Sequence, residues 1–529
     1  MRRKPFFFYC SIIAIILISC KEQKPSIEKK EALPNIIYIL ADDLGYGDVG
    51  SFNVNGKIST PNIDEMANEG MKFTDAHSSS AVCTPTRYGI LTGRYNWRSE
   101  LKSGVLTGKS KALIPNERGT VASILKNNGY STAFIGKWHL GWDWALKDTT
   151  QFGGEGWNAS DFDTIDFDGV VKNTPNDLGF DYTYGHSGSL DMAPYVYLEN
   201  GRPTAAVDTI TEDTGKYTWW RKGPTASDFV HDDVTPNFFR KAMGYINDVT
   251  DQKRPFFLYL ALPSPHTPIL PTKAWQGKSG INPYADFVMM IDDYIGQLTK
   301  VLEEKGLTEN TLVVFTSDNG CSPQADFEIL GQKGHDPSAG YRGHKADIFE
   351  GGHRVPFIVK WPKRIASGRV SEKTICLTDL MATCADIVGS ELGDEEAEDS
   401  FSMLPLFLEP NGEGFKREAT VHHSINGSFA IRKDDFKLIF CPGSGGWSDP
   451  KPNMAGIEEM PPVQLYNLAK DPGETKNLYV DQPEKVTELK ALMASYIENG
   501  RSTPGAKQKN APYTLNGKPW VQIETILSN

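Results

Sequence analysis

Three things are scarce in this chain. Cysteine is the first: there are seven among 529 residues, and none sits in a CxxC pair or another metal-ligand spacing. That excludes a thiolate metal ribbon and a disulfide framework, leaving open at most one bridge among Cys321, Cys376, Cys384 and Cys441. Positive charge is the second. Fifty-five Lys and Arg face 67 Asp and Glu, a formal net charge of −12, which excludes general nucleic-acid binding. Long hydrophobic runs are the third, since the apolar stretch Phe6 to Ile18 is too short to span a bilayer as a helix. Internal repeats are absent as well. What is present, 39% hydrophobic and 23% charged residues, is a globular composition. The length suffices for a large core plus an accessory domain. An anionic ligand would need a locally basic pocket within this acidic protein.

The first residues read as a targeting segment, set aside from fold reasoning. Arg2-Arg3-Lys4 precedes the apolar stretch, which ends Leu17-Ile18-Ser19-Cys20. This pattern resembles a bacterial lipoprotein export signal. The resemblance implies a signal peptide over 1–19, cleavage before Cys20, a lipid on Cys20 that ties the chain to a membrane, and residence in the periplasm or on the outer-membrane surface. An ordinary signal peptide with an incidental cysteine is the alternative. Residues 20–33 are charged and contain proline, and read as a tether.

From residue 34 the pattern is α/β. Asn35-Ile36-Ile37-Tyr38-Ile39-Leu40 is a continuous apolar run that reads as a buried parallel strand, and Asp42 and Asp43 fall at its carboxyl end. Adjacent carboxylates there repel one another unless a cation sits between them. Tyr130 to Ile135 is a second strand, with Lys137 and His139 beyond it. Pro255 to Ala261 is a third and runs into His266; Thr311 to Thr316 is a fourth and delivers Asp318 and Asn319. Helical spacing marks Thr120 to Asn128 and a long amphipathic stretch that Gly306 closes. Residues from about 142 to 235 show little periodicity and read as a looped insertion shaping a site mouth. Its tryptophans (Trp142, Trp144, Trp157, Trp219, Trp220) suit either stacking on sugar rings or internal packing. A glycine-rich loop carries Arg342, His344 and Lys345, and the acidic run Glu391 to Asp399 reads as a surface boundary. The expected organisation is a catalytic domain over 34–400, a smaller α+β domain over 401–501 and an irregular arm over 502–529.

At least four strand ends or adjoining loops thus supply reactive polar groups. In an open parallel sheet such groups converge on one edge, where ligands bind. Asp42, Asp43, Asp318 and Asn319 offer oxygen ligands, which favours Ca²⁺ or Mg²⁺ over zinc. Arg87, Lys137, His139, His266 and Lys345 add positive charge or donors, a set suited to a small oxyanion such as sulfate or phosphate. Taken singly, Lys137 and Lys345 read as solvated surface residues, and His186, His335 and His353 as packing or surface groups. His422-His423 fits a surface strand as well as it fits the site.

One further stretch organises the rest. Cys83-Thr84-Pro85-Thr86-Arg87, followed by Leu91-Thr92-Gly93-Arg94, places a lone cysteine and an arginine at the start of a helix, a setting that favours anions. Together with Gly136 to Gly141, Asp318-Asn319-Gly320 and Glu350 to Pro356, it resembles the type I, formylglycine-dependent sulfatases of the alkaline phosphatase-like superfamily. The resemblance runs from Asn35 into the C-terminal domain. It implies a three-layer α/β/α domain with a mostly parallel sheet, plus a smaller C-terminal domain with an antiparallel sheet. It implies that a maturation enzyme converts Cys83 to formylglycine, whose hydrate attacks sulfur and later expels sulfate by C–O cleavage. Asp42, Asp43, Asp318, Asn319 and the modified Cys83 would hold the metal, calcium with magnesium as the alternative. Arg87 and Lys137 would hold and activate the diol, His139 would take a proton, His266 would protonate the leaving alcohol, and Lys345 would bind sulfate. The expected activity is sulfate ester hydrolysis on a sulfated glycan. A phosphonate or phosphate ester hydrolase and a non-catalytic glycan-binding lipoprotein are the alternatives.

Overall fold

The computed structural model describes residues 1–2, 4–5, 32–151, 153–515 and 518–527. Cys20, and nearly all of the export signal and tether expected around it, lie outside the described residues. Residues from Pro34 onward form one compact unit. No helix among the described residues is long and apolar enough to cross a membrane.

The strands, in chain order, begin with β1 (Asn35–Asp42), β2 (Met71–Phe73), β3 (Ala76–His77), β4 (Ser131–Lys137), β5 (Tyr182–His186), β6 (Leu198–Glu199), β7 (Arg202–Pro203), β8 (Val207–Asp213) and β9 (Trp220–Ala226). They continue with β10 (Phe256–Pro265), β11 (Thr311–Ser317), β12 (Phe357–Lys360), β13 (Arg369–Ser371) and β14 (Ile375–Cys376). Then come β15 (Thr420–His423), β16 (Phe429–Lys433), β17 (Phe436–Ile439) and β18 (Gln464–Asn467), followed by the short antiparallel pair β19 (Thr514–Leu515) and β20 (Lys518–Pro519). One ten-stranded sheet runs β13-β2-β12-β11-β1-β10-β4-β5-β6-β7. Its centre, β11-β1-β10-β4-β5, is parallel throughout. These strands are apolar along their length because helices cover both faces: β1 is buried from Ile36 to Asp42 and β10 from end to end. Helices Pro61–Glu69, Val234–Thr250 and Pro283–Glu304 pack as one group, and Cys83–Thr92, Val121–Asn127 and Leu380–Val388 as another. This is the expected α/β fold, and β15-β16-β17-β18 forms the separate antiparallel sheet.

Three local readings change. The stretch read as a looped insertion contains β5, which joins the central sheet in register with β4 (Gly136 opposite Gly185). Its strand signal is weak because the stretch is only five residues long and mixes aromatic, small and polar residues with no apolar run. The acidic run ends inside the protein: Asp399 is fully buried in a two-pronged pair with Arg98 at 2.8 and 2.9 Å, and Glu398 meets Arg94 at 3.0 Å. Burial on this scale requires such partners. His422 and His423 sit on β15, every residue of which is buried, so the surface-strand reading fails. The described cysteines are all free thiols, so none of Cys321, Cys376, Cys384 and Cys441 forms a bridge.

A buried ionic seam fastens the small sheet to the large one. Asp75 pairs with Arg354 and Arg432, each at 2.7 Å, and with His77 at 2.8 Å. Glu350 pairs with Arg354 at 2.9 Å and Lys437 at 3.1 Å, and Lys437 also meets Glu474 at 2.9 Å. The His353 and His422 rings stack 4.0 Å apart. Burial pushes the Asp75 and Glu350 carboxyls up, but Arg354 and Arg432 around the first, and Lys437, His77 and Arg354 around the second, outweigh it and hold both well below the usual range. Burial pushes His77, His353 and His422 down, so these rings stay neutral. The three histidines and the two depressed carboxyls act in one direction, the unfolded chain binding more protons as pH falls, first through the ordinary histidine range and then through the carboxylate range. Glu474, pushed up to about 7 by burial, acts the other way and offsets part of this.

Two outcomes follow. The urea midpoint should fall as pH drops from 7 to 5 and fall further below that; a flat profile over this range would contradict the buried seam. Lys437→Met should destabilise the protein by about 3–5 kcal/mol, because Glu350 and Glu474 lose their shared buried partner; equilibrium urea unfolding at neutral pH reads the cost.

Candidate active site

The four central strands end side by side, and the polar residues at those ends meet. Asp42 closes β1 and Asp43 follows it; Lys137 closes β4; Asp318 follows β11 and His266 follows β10. Asp43 and His139 both adopt left-handed backbone, φ 64° and 55°. For these residue types that conformation is tolerated and turns the chain sharply off the strand end. The fifth contributor is helix Cys83–Thr92, which starts at the cysteine itself after extended Val82 and is buried along its whole length. Lys345 arrives from the glycine-rich loop, its N–H donating to the Cys321 carbonyl at 2.9 Å.

Asp42, Asp43, Cys83, Arg87, Lys137, His139, His266, Asp318, Asn319 and Lys345 meet in this cluster. The Arg87 guanidinium donates to Asp318 Oδ2 through Nε at 3.1 Å and Nη2 at 2.8 Å, and lies 3.7 Å from Asp42. Its Nη1 donates to the Lys137 carbonyl at 2.9 Å, tying the helix to β4. Lys137 Nζ reaches Asp42 Oδ2 at 2.5 Å, and Lys345 Nζ reaches Asp43 Oδ2 at 2.7 Å. Asn319 donates its side-chain N–H to Asp43 Oδ1 at 2.7 Å. Facing ligand atoms of Asp42, Cys83 and Asp318 lie within 4.8 Å of one another, as do those of Asp42, Asp43 and His266.

Electrostatics show what this donor set lacks. Burial and the neighbouring Asp42 push Asp318 up to about 7 even with Arg87 beside it. Asp42 goes the other way: burial pushes it up, but Lys137, His266 and Arg87 outweigh that and hold it low. Among the described residues Asp42 Oδ1 and Asn319 Oδ1 are buried without a hydrogen-bond partner, a costly state for polar atoms. Oxygen donors, two of them orphaned, around a carboxyl that holds its proton near neutrality fit a hard divalent cation. Burial also pushes the Cys83 thiol up to about 11, against the pull of Lys137 and Lys345. The unmodified residue is therefore a neutral thiol at physiological pH and no activated thiolate.

The two histidines have defined tautomers. His139 Nε2 contacts the Leu106 carbonyl at 2.8 Å, and a carbonyl only accepts, so Nε2 carries the hydrogen and the buried, partnerless Nδ1 is the basic atom. His266 Nδ1 contacts the Thr267 carbonyl at 2.5 Å by the same logic, which leaves Nε2 facing Asp43 Oδ2 at 3.6 Å. Burial pushes both histidines down, Lys137 adding to it at His139 and Lys345 at His266.

Above this cluster opens a cavity of about 390 Å³. Cys83, His139, His266 and Lys345 line it together with Trp157 and Trp219 of the insertion and Trp447 of the C-terminal part. Asp42, Arg87, Lys137, Asp318 and Asn319 lie beneath, with no exposed surface. Of the tryptophans weighed earlier, Trp142 and Trp144 are buried packing residues, whereas Trp157 and Trp219 are exposed at the cavity. Sequence reasoning missed Ser189, whose hydroxyl bridges Lys137 Nζ at 3.1 Å and His266 Nδ1 at 3.2 Å. A serine in a glycine-rich stretch carries no local signal; only the meeting of β4, β10 and the segment after β5 gives it a role. His344, His335, His353 and His422 stay outside the cluster, and Arg342 lies over the Phe349 ring.

The family model for Sulfatase matches residues 34–390 of the chain. The chain is 33% identical to N-acetylgalactosamine-6-O-sulfatase of Bacteroides thetaiotaomicron, over 91% of this chain and 96% of that protein. It is 32% identical to human Arylsulfatase A, over 84% and 83% of the two. A solved structure from work on glycosaminoglycan metabolism by Bacteroides thetaiotaomicron superposes with a TM-score of 0.74 at 31% identity, covering 88% of this chain and 99% of that one. A second, Ps i-CgsB in complex with k-i-k-neocarrahexaose, gives 0.67 at 26% identity, over 90% and 95%.

Ser189→Ala should lower kcat/KM for a sulfate ester by roughly 5–30-fold, the rate equivalent of about 1–2 kcal/mol for the lost hydrogen bond that joins Lys137 and His266. Steady-state kinetics on 4-methylumbelliferyl sulfate would check it, and an unchanged rate would remove Ser189 from the site.

Proposed function

The chain belongs to the sulfatase family and is a sulfuric ester hydrolase; from that premise we propose that it removes sulfate from a sulfated glycan or its oligosaccharides, using a formylglycine made from Cys83 and a divalent cation. The observation that carries this reading is the convergence of Asp42, Asp43, Asp318, Asn319 and Cys83 with Arg87, Lys137 and Lys345 on one sheet edge, under a cavity walled by tryptophan. The names of the relatives point to amino-sugar sulfates as the first class to test.

Asp42, Asp43, Asp318 and Asn319 would hold the cation, with calcium the first candidate and magnesium the second, and position 83 would complete the set. Converted Cys83 supplies a hydrated aldehyde, a nucleophile whose sulfate is released by C–O cleavage. The chain's own residues do the rest. Arg87 and Lys137 hold the oxygens at position 83 in line with the ester. Lys345, on the cavity wall, binds a sulfate oxygen. His139 accepts a proton at Nδ1, which burial keeps basic-side free and neutral. His266, once protonated, offers Nε2–H to the leaving alcohol, and Ser189 orients both His266 and Lys137. Maturation of Cys83 needs a formylglycine-generating enzyme as partner. The export-signal resemblance supports a lipid on Cys20, membrane attachment, and a place in the periplasm or on the outer-membrane surface, where sulfated glycan fragments are met.

The test begins with protein from a host that carries the maturation enzyme. Peptide mass spectrometry of the Cys83 peptide should show a mass lowered by the difference between hydrogen sulfide and oxygen. That protein should release sulfate from members of a sulfated glycan panel and act far less on matched phosphate esters. Cys83→Ala should lose at least ~10³-fold in rate, as expected when a covalent nucleophile is removed. A chelator should abolish activity and calcium or magnesium should restore it. Full activity with an unmodified Cys83 would overturn the formylglycine reading, and faster phosphate than sulfate release would overturn the substrate class.

A further inference from the structure

One wall of the cavity carries a polar pair that the chemistry above does not use. Asp191 lies in the segment after β5 and Arg221 on β9, and both line the cavity that Cys83, His139, His266 and Lys345 floor. Asp191 is only 6% exposed. Its Oδ2 is ion-paired to Arg221 Nη1, while its Oδ1 is buried with no hydrogen-bond partner among the described residues. Arg221 is locked in place. Its Nη1 also donates to the Asp191 carbonyl at 3.2 Å, and its backbone N–H donates to the same carbonyl at 3.2 Å. The guanidinium carbon lies 5.2 Å from the Trp157 ring centroid and 4.7 Å from that of Trp219. The Tyr195 hydroxyl donates to the Arg221 carbonyl at 2.6 Å. Nε and Nη2 of Arg221 carry no hydrogen bond within the described residues.

A buried orphan acceptor beside a fixed, partly used donor fork is costly to leave open in the folded protein. It becomes favourable when a ligand supplies a donor and an acceptor at adjacent positions. Because Asp191 already neutralises Arg221, the pair is a poor site for a second sulfate or a carboxylate. It suits neutral groups instead. We propose that Asp191 and Arg221 form the sugar-recognition pair of this enzyme: Asp191 Oδ1 accepts from one ring hydroxyl of a sulfated hexose, Arg221 donates to the adjacent oxygen, and Trp157 and Trp219 shield both. The proposal rests on the sulfatase reading of the cavity floor and assigns the wall. It selects monosulfated sugars with free neighbouring hydroxyls over aryl sulfates, which have none.

The test compares two kinds of substrate in the matured full chain. One is 4-methylumbelliferyl sulfate; the other is a set of 6-sulfated hexoses (galactose, N-acetylgalactosamine and N-acetylglucosamine). Asp191→Asn and Arg221→Lys should each lower kcat/KM on the best sugar sulfate by about 10–100-fold, the cost of a lost hydrogen bond to a charged group. Both should leave the aryl sulfate within about threefold, and their unfolding midpoints close to the parent's. Equal losses on both substrates, or no loss on the sugar, would overturn the proposal. So would a parent enzyme that cleaves the aryl sulfate and none of the sugars. If the parent cleaves neither, the sulfatase reading fails separately, and calorimetry decides on the pair. Titration with N-acetylgalactosamine 6-sulfate that binds the parent but not the variants would support it, and absence of binding to the parent would overturn it.

Discussion

Three buried carboxyls at neighbouring strand ends impose the constraint on which this fold turns. Two like charges about 4 Å apart repel by roughly 4 kcal/mol at a surface-like dielectric, and more in the interior. Asp42, Asp43 and Asp318 therefore require cations of the chain's own before any ion binds. Three elements supply them: Arg87 from the helix that begins at Cys83, Lys137 from the end of β4, and Lys345 from the glycine-rich loop. Arg87 also bonds the Lys137 and Leu262 carbonyls. The helix that starts at Cys83 is thus pinned to the sheet by the same contacts that concentrate positive charge at the strand ends. Assembly of the core and assembly of the site are one event.

The C-terminal sheet has a direct hand in that assembly. The N–H of Ala81 donates to the His423 carbonyl at 2.9 Å, that of Ala346 to the Ala81 carbonyl at 2.8 Å, and that of Ile425 to the Ala346 carbonyl at 3.0 Å. Ala81 is two residues before Cys83, and Ala346 directly follows Lys345. The backbone around β15 therefore sets the spacing between Cys83 and Lys345. The ionic seam of Asp75, Glu350, Arg354, Arg432 and Lys437 holds that sheet against the first. Such a seam adds little net stability over an apolar one. What it does supply is a geometry with few alternatives, since each charge has its partner in one arrangement.

Division of labour within the site follows burial. Asp42, Arg87, Lys137, Asp318 and Asn319 lie beneath the cavity with no exposed surface, in a low dielectric where a charge acts strongly. The groups that meet the rest of a substrate come from the long insertion and the C-terminal part, on loops and a two-stranded ribbon. The sheet edge thus carries the buried charged cluster, and the connections around it form the cavity mouth.

By itself the sequence picked out the polar positions that meet at the sheet edge and the central strands. An apolar run ending in Asp42-Asp43, or in Asp318-Asn319, announces a buried strand with a polar end because a strand covered on both faces leaves no other pattern. The Cys83 to Arg94 signature then linked those ends to one reaction. Tertiary structure alone decided the rest. Ser189 has its role only because three distant segments meet. β5 escaped notice because Tyr182 to Gly185 is neither strongly alternating nor continuously apolar, and it is a strand because β4 offers it an edge. His422, Glu398 and Asp399 read as surface residues because charge and polarity ordinarily mean exposure; each is buried against a partner distant in the sequence, His422 on His353, Glu398 on Arg94 and Asp399 on Arg98. Pairing of buried charges depends on what the folded chain brings within hydrogen-bond reach, and no local pattern encodes that distance.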